Sequence, residues 1–324
     1  MPGPLPAESR HDAERSRAPH LDPGSCYAIS NMKKILGYSV AGAAVLGAVL
    51  IVRVPPAAAH KPRMMVIAHR GASIAAPENT LPAFEAGIKA GADWLEMDLW
   101  ATRDNVLVVA HDAQLKPPVC TGPNAPAIIR EITFEETRKW DCGGIRNPSS
   151  TRRKVGAGTR LPSFDEVLGL ARGRKGFGFL IEVKSDPERP ERQPEPAEYA
   201  RMVIAALRRH KLETRAIVQS FDFRITAELK RQAQDIRSAA LFSGAARDFS
   251  AVAKEAGGMD IVAPHLKLVT PAAVEEAHRA GLQVFSWTAD TPAEWDALVA
   301  AGVDGIITND PGGLADYLER KGLR

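Results

Sequence analysis

The sequence predicts a (β/α)8 TIM barrel, and three observations carry the prediction. From residue 64 onward, short apolar runs alternate with segments of helical periodicity, eight of each. The alternation fills about 260 residues, the usual size of such a barrel. No Gly-x-Gly-x-x-Gly follows the first apolar run, which counts against an open dinucleotide-binding sheet.

Taken in order, MMVIAH (64–69) is the first strand. Leu81, Phe84 and Ile88 then mark one face of a helix that Asn79 or Thr80 would cap. ADWLEMDL (92–99) is the second strand. The remaining six are GFLIEV (178–183), AIVQS (216–220), SAALF (238–242), DIVAP (260–264), LQVFSW (282–287) and GIIT (305–308). Helical segments fall at 164–172, 196–210, 223–233, 248–256, 271–280, 292–300 and 312–320. The charged, proline-rich run 188–198 reads as a solvated loop. Residues 112–162 break the alternation: they are rich in Pro, Gly, Arg and Thr and offer one short helix near Phe134–Trp140. A loop this long in a compact domain usually serves function.

The first 59 residues have a different character. Residues 1–31 are rich in Pro, Ser, Arg and Asp without apolar periodicity, so they read as a disordered extension ahead of a true start at Met32. Met32-Lys33-Lys34, the uncharged stretch Ile35 to Val52 and Ala57-Ala58-Ala59 are the parts of a signal peptide. The length of 35–52, with Arg53 as a flank, also fits a retained membrane anchor. Either reading puts the barrel domain, 60–324, outside the cytoplasm: exported, periplasmic or secreted. That compartment permits a disulfide between Cys120 and Cys142, the alternative being two unpaired thiols.

Composition excludes some classes. Apolar residues make up 45% and charged residues 25%, as in ordinary soluble proteins. The net charge is +3, and residues 60–324 carry 36 basic against 35 acidic side chains. No basic patch suggests nucleic acid. Affinity for an anionic substrate must therefore come from local groups.

Those groups stand at the ends of the apolar runs, where a barrel places its working residues. His69 and Arg70 end the first strand, Glu96 and Asp98 the second, and Glu182 and Lys184 the third, while His111 follows a further apolar run. Members of the pairs Glu96/Asp98 and Glu182/Lys184 are two apart, so each pair faces one way. Three carboxylates and a lysine then converge, and oxygen ligands of this kind suit Ca²⁺ or Mg²⁺. Two histidines suit acid–base work, and Arg70 offers a planar fork to phosphate oxygens. Each group alone has a plainer reading: a salt-bridged carboxylate pair, a structural histidine, a barrel-end ion pair.

His69-Arg70-Gly71, Pro77-Glu78-Asn79-Thr80, Glu96-Met97-Asp98 and His111-Asp112 occur in that order. The sequence closely resembles the glycerophosphodiester phosphodiesterase family, whose signature is HRG, PENT, ExD and HD, and the resemblance runs from about residue 64 to 320. It implies metal binding by Glu96, Asp98 and Glu182, acid–base catalysis by His69 and His111, and phosphate binding by Arg70 and Lys184. It also implies that the substrate is a glycerophosphodiester split into sn-glycerol 3-phosphate and an alcohol, by way of a cyclic phosphate. Residues 112–162 would be the family's insertion after the second strand unit, capping the site. Trp287 would line the glycerol pocket or, equally, pack the barrel rim. The chain departs from the family pattern twice: Asp290 stands where Asn is usual, and Asn309 where many members have Asp.

Other functions stay in view. The same site in a lysophospholipase D would take lysophospholipids, and the sphingomyelinases D share the barrel and the paired histidines. A barrel that had lost catalysis would lack a ligand or a histidine, and none is missing here. No protein partner is expected; residues 35–52 could hold the enzyme near a membrane.

Overall fold

The computed structural model describes residues 63–143 and 156–324. The expected extension, 1–31, and the signal or anchor segment, 32–59, lie outside the described residues. Among the described residues, no helix is long and apolar enough to cross a membrane.

The chain starts with β1 (Met65–Ala68), α1 (Leu81–Lys89) and β2 (Trp94–Ala101). An excursion follows, with β3 (Leu107–Val109), the pair β4 (Gln114–Leu115) and β5 (Ala127–Ile128), and α2 (Phe134–Thr137). Regular alternation resumes at α3 (Phe164–Leu168) and β6 (Gly178–Val183). Then come α4 (Pro196–His210), β7 (Ala216–Ser220), α5 (Phe223–Gln232), β8 (Arg237–Phe242) and α6 (Phe249–Glu255). The chain ends with β9 (Ile261–Pro264), α7 (Pro271–Arg279), β10 (Gln283–Ser286), α8 (Pro292–Ala301), β11 (Gly305–Thr308) and α9 (Pro311–Arg320).

Eight of these strands, β1, β2 and β6 to β11, run parallel, and β1 pairs with both β2 and β11 to close the barrel. Inside it lies a ring of one apolar side chain from nearly every strand: Ile67, Leu180, Ile217, Ala239, Ile261, Phe285 and Ile307. The other face of each strand packs on the helices, through residues such as Val66, Leu95, Phe179, Val218 and Val284. Strands buried on both faces explain why the runs read as continuously apolar.

Helix ends follow their sequence signals. Thr80, not Asn79, caps α1 by accepting from Ala83 N, whereas Ser163 and Thr291 form capping boxes with Glu166 and Glu294. The run 188–198 is only partly loop, because Pro196 opens α4 and Pro190–Arg192 makes a 3-10 turn. Proline suits a first helical turn, where no N–H bond is lost.

Two features of the first two units shape the site. β2 does not stop near Leu99 as expected; it continues to Ala101 because β3 folds back antiparallel on it, Leu99 opposite Val109 and Ala101 opposite Leu107. The excursion has its own small core, with Trp100, Leu115, Ile129, Trp140 and Leu161 packed around Cys120 and Cys142. Their sulfurs lie 2.13 Å apart, at disulfide distance.

The second feature is the turn after β1. Gly71 has φ +78°, and a Cβ there would sit 2.5 Å from the carbonyl carbon of Ala83. Gly71→Ala is therefore expected to cost about 3 kcal/mol, from the left-handed backbone plus the collision with α1. Urea unfolding would read it, and an unchanged midpoint would mean that the turn can be rebuilt without loss.

Candidate active site

The site is the layer of side chains just above the apolar ring. Side chains on a strand alternate, so the residue two past an inward apolar one also faces inward. Ile67 is followed by His69, Leu180 by Glu182, Ile217 by Gln219, Phe285 by Trp287, and Ile307 by Asn309. Of these, His69, Glu182, Gln219 and Trp287 line a cavity of about 90 Å³, together with Arg70, Glu96, His111 and Phe221.

Glu96, Asp98 and Glu182 are buried, and one oxygen from each lies within 4.8 Å of the others. Asp98 and Glu182 are direct register partners across β2 and β6, which is why they meet. Glu96 and Asp98 lie within β2 and not at its end. Lys184, just past β6, reaches Glu182 Oε1 at 2.8 Å and Asp98 Oδ1 at 3.6 Å. Arg70 Nε stands 3.4 Å from Asp98 Oδ2, and the Arg70 backbone N–H donates to Glu96 Oε2 at 2.8 Å.

These charges are unevenly shared. Burial would raise the pKa of Asp98, but Lys184 and Arg70 outweigh it and hold the carboxyl below its usual range. Glu182 is pushed up to about 7 by burial and by Asp98. Burial, with Asp98 and Glu182 nearby, pushes Glu96 up as well. Carboxylates kept from ionising by one another, with oxygens this close, fit a hard divalent cation. The three residues could hold one.

Arg70 and Asn79 both have left-handed backbone, φ 53° and 57°. Such strain costs about 1 kcal/mol or more for a residue with a side chain. The conformation brings both side chains to Asp98: Asn79 Nδ2 donates at 2.8 Å to Oδ2, the same oxygen that Arg70 Nε approaches. Glu78 fixes the guanidinium from behind, accepting from Nη1 at 3.0 Å. The Pro77-Glu78-Asn79-Thr80 segment thus orients Arg70 and Asp98 and starts α1.

His111 arrives by a different route from His69. It follows β3, which is not a barrel strand, and the hairpin folds it over the mouth. Ala110 N donates to Asp98 O, and Trp100 Nε1 donates to His111 O, each at 3.0 Å. His111 Nδ1 lies 2.7 Å from Asp112 Oδ1, and that bond holds the Asp112 carboxyl below its usual range. His69 Nδ1 meets the side chain of Asn309 at 2.8 Å. Burial first, then Arg70, pushes the pKa of His69 down to about 3.

Trp287 sits at the rim, its Nε1 donating to Ala263 O at 2.8 Å. Phe221 and His265 meet it edge-on, at centroid distances of 5.6 and 4.9 Å. It lines the cavity and packs the rim at once. His265 is structural, accepting from Lys267 N.

A second cavity, of about 190 Å³, opens on the other side of Arg70 and His111. Its walls include Asp112, Leu115, Val119, Leu161 and the two cysteines, so described residues of the excursion stand beside Arg70 and His111.

A glycerophosphoryl diester phosphodiesterase family model matches residues 69–313. The chain belongs to that family. The glycerophosphodiester phosphodiesterase of Caldanaerobacter subterraneus subsp. tengcongensis is 33% identical over 269 residues, covering 80% of this enzyme and 100% of the relative. A solved structure from Silicibacter pomeroyi DSS-3 has a TM-score of 0.76 at 32% identity, covering 81% of this chain and 95% of its own. The glycerophosphodiester phosphodiesterase structure from Agrobacterium tumefaciens str. C58 has a TM-score of 0.63 at 25% identity, covering 78% and 99%.

The structure of this phosphodiesterase gathers His69, Arg70, Glu96, His111, Glu182 and Trp287 around the smaller cavity, with Asp98 and Lys184 paired to residues of its wall. It adds three that the sequence left unassigned or only considered. Asn79 reads as a capping residue until its side chain is seen on Asp98. Gln219 lines the cavity, and its Oε1 is buried without a hydrogen-bond partner. Phe221 is 46% exposed, a large apolar side chain at the mouth. Their only sequence signal is position, at and just past the end of the fourth barrel strand.

Proposed function

We propose that the enzyme hydrolyses small glycerophosphodiesters to sn-glycerol 3-phosphate and an alcohol, with a divalent cation held by Glu96, Asp98 and Glu182. One observation carries this reading: two histidines, an arginine and two of the three clustered carboxylates, Glu96 and Glu182, line one small cavity, with Asp98 directly behind them. When bound, the cation supplies positive charge to the phosphoryl oxygens. Arg70, held by Glu78 and Asp98, and Lys184 add to that field from fixed positions.

The two histidines have different partners, and the difference supports giving them different roles. His69 is half-buried beside Arg70, is held neutral by its lowered pKa, and takes the proton from the glycerol hydroxyl next to the ester. The hydroxyl oxygen bonds to phosphorus, and the bond from phosphorus to the leaving alcohol breaks. His111, with the Asp112 carboxylate as a counter-charge for its imidazolium, gives that alcohol its proton. The histidines then reverse roles as water opens the cyclic phosphate, which returns the proton to His111.

Trp287 and Phe221 give the glycerol carbons an apolar wall, and Gln219 Oε1 is placed to accept from a glycerol hydroxyl. The leaving alcohol then enters the cavity beside Asp112 and the excursion. At about 190 Å³ that space suits a small polar headgroup better than an acyl chain. The exposed Phe221 favours a second reading, a lysophospholipase D with the same site. Export to an oxidising compartment is part of the proposal, supported by the 32–59 pattern and the cysteine pair.

The test is release of glycerol 3-phosphate from glycerophosphocholine by the purified protein, with Ca²⁺ or Mg²⁺ and with EDTA. Turnover that EDTA abolishes and one of the ions restores is the expected result. Release of choline from lysophosphatidylcholine, with none from glycerophosphocholine, would move the assignment to the second reading.

A further inference from the structure

The two positions where the chain departs from its family's pattern touch one another, and both stand behind His69. Asp290, between β10 and α8, accepts from Asn309 Nδ2 through Oδ2 at 2.6 Å. Its Oδ1 accepts from the Asn309 backbone N–H at 2.8 Å and from Thr308 Oγ1 at 3.1 Å. A carboxylate only accepts, so the Asn309 amide is turned with its NH₂ toward Asp290 and its oxygen toward His69. That oxygen receives the Ser73 hydroxyl at 2.6 Å and meets His69 Nδ1 at 2.8 Å. A carbonyl oxygen also only accepts, so the ring proton sits on Nδ1 and the Nε2 lone pair is left for chemistry.

We propose that Asp290 and Asn309 are a positioning pair, an exchange of carboxylate and amide across one hydrogen bond, that holds His69 as the neutral Nδ1–H tautomer. The negative charge stands one amide away from the imidazole and does not touch it. The orientation still passes through Asn309, and the ring keeps its proton-accepting nitrogen toward the cavity. The catalytic consequence rests on the reading above that His69 is the base; the tautomer itself does not.

Asp290→Asn gives the sharpest test, because an amide cannot accept on both sides. Its oxygen goes to the side with two donors, the Asn309 N–H and Thr308 O–H, and its NH₂ faces Asn309 Nδ2. Asn309 then turns over, its NH₂ meets His69 Nδ1, and the ring proton must move to Nε2. The double variant D290N/N309D puts a carboxylate at 309, which accepts from both sides and returns the proton to Nδ1.

The readouts are kcat and KM on glycerophosphocholine, and ¹⁵N spectra of the histidine-labelled full chain, with His69 assigned by the signal lost in His69→Ala. Native protein should show His69 as Nδ1–H. Asp290→Asn should show Nε2–H, with kcat down about a hundredfold at similar KM. The double variant should recover the Nδ1–H signature and most of kcat. Native His69 as Nε2–H, or a signature and kcat unmoved by Asp290→Asn, would overturn the pair, leaving only a tie between loops. A tautomer that switches as described in a protein without diesterase activity would uphold the pair and refute the assigned reaction.

Discussion

Alanine at His69 or at His111 is expected to lower kcat on glycerophosphocholine about a thousandfold, within the range that positioned acid–base groups contribute. Neither side chain belongs to the packed core, so the folded state should survive and KM should change little. The choice of leaving group separates the two roles. A p-nitrophenyl ester of glycerol 3-phosphate releases an anion that needs no proton. On that substrate the loss in His111→Ala, read as the first burst of p-nitrophenol release, should shrink to roughly tenfold or less, because that step no longer needs a protonated leaving group. The loss in His69→Ala should stay large, since the attacking hydroxyl must still give up its proton. The reverse pattern would exchange the two assignments, and full activity in either variant would end the two-histidine mechanism.

Glu182→Gln is expected to weaken divalent-ion binding about a hundredfold or more, with turnover partly recovered at high metal concentration. The substitution keeps the shape and removes one of three buried charges. The sign of the pH dependence follows from the raised pKa of Glu182, about 7, and of Glu96. A cation needs both as carboxylates, so binding expels protons, and affinity should fall below pH 7 by about tenfold per unit for each proton expelled. A carboxyl whose folded pKa is raised stabilises the fold below its unfolded value and loses that contribution as pH rises through the folded value. Without metal, the protein should therefore lose stability as pH rises through 7. Added Ca²⁺ or Mg²⁺ should raise Tm more at pH 8 than at pH 5.5. Metal-free Glu182→Gln should melt above metal-free native protein at pH 8, because a buried anion has been removed. Calorimetric titration and thermal melts read all of this; metal affinity equal to the native value would remove Glu182 from the ligand set.

Much of the site was legible because strands write it with a period of two. Ile67 and His69, Leu180 and Glu182, and Phe285 and Trp287 each place a polar or aromatic group directly above an apolar one. The repeated alternation of strand and helix then makes those strand ends neighbours. Residues with a second plausible duty were harder to read. Asn79 looks like a helix cap, yet the cap is Thr80 and the Asn79 side chain lies on Asp98. The role of Gln219 depends on an unpartnered oxygen, which composition and spacing do not encode. In the sequence Asp290 and Asn309 stand out only as two separate departures from the family pattern, and they are a single contact that reaches His69.

By itself the sequence determined the barrel class, the order of its units, and the set of histidines, carboxylates and cations proposed to carry the chemistry. Those follow from local rules: apolar periodicity, strand alternation and the spacing of charged pairs. Tertiary structure decided which of these groups touch. Closing β1 against β11 brings His69 to Asn309, 240 residues away, and pairing β2 with β6 sets Asp98 opposite Glu182. The fold-back of β3 carries His111 over the mouth. Proton position and carboxyl pKa depend on contacts of a few ångströms between distant segments, and those distances exist only once the sheet has closed on itself.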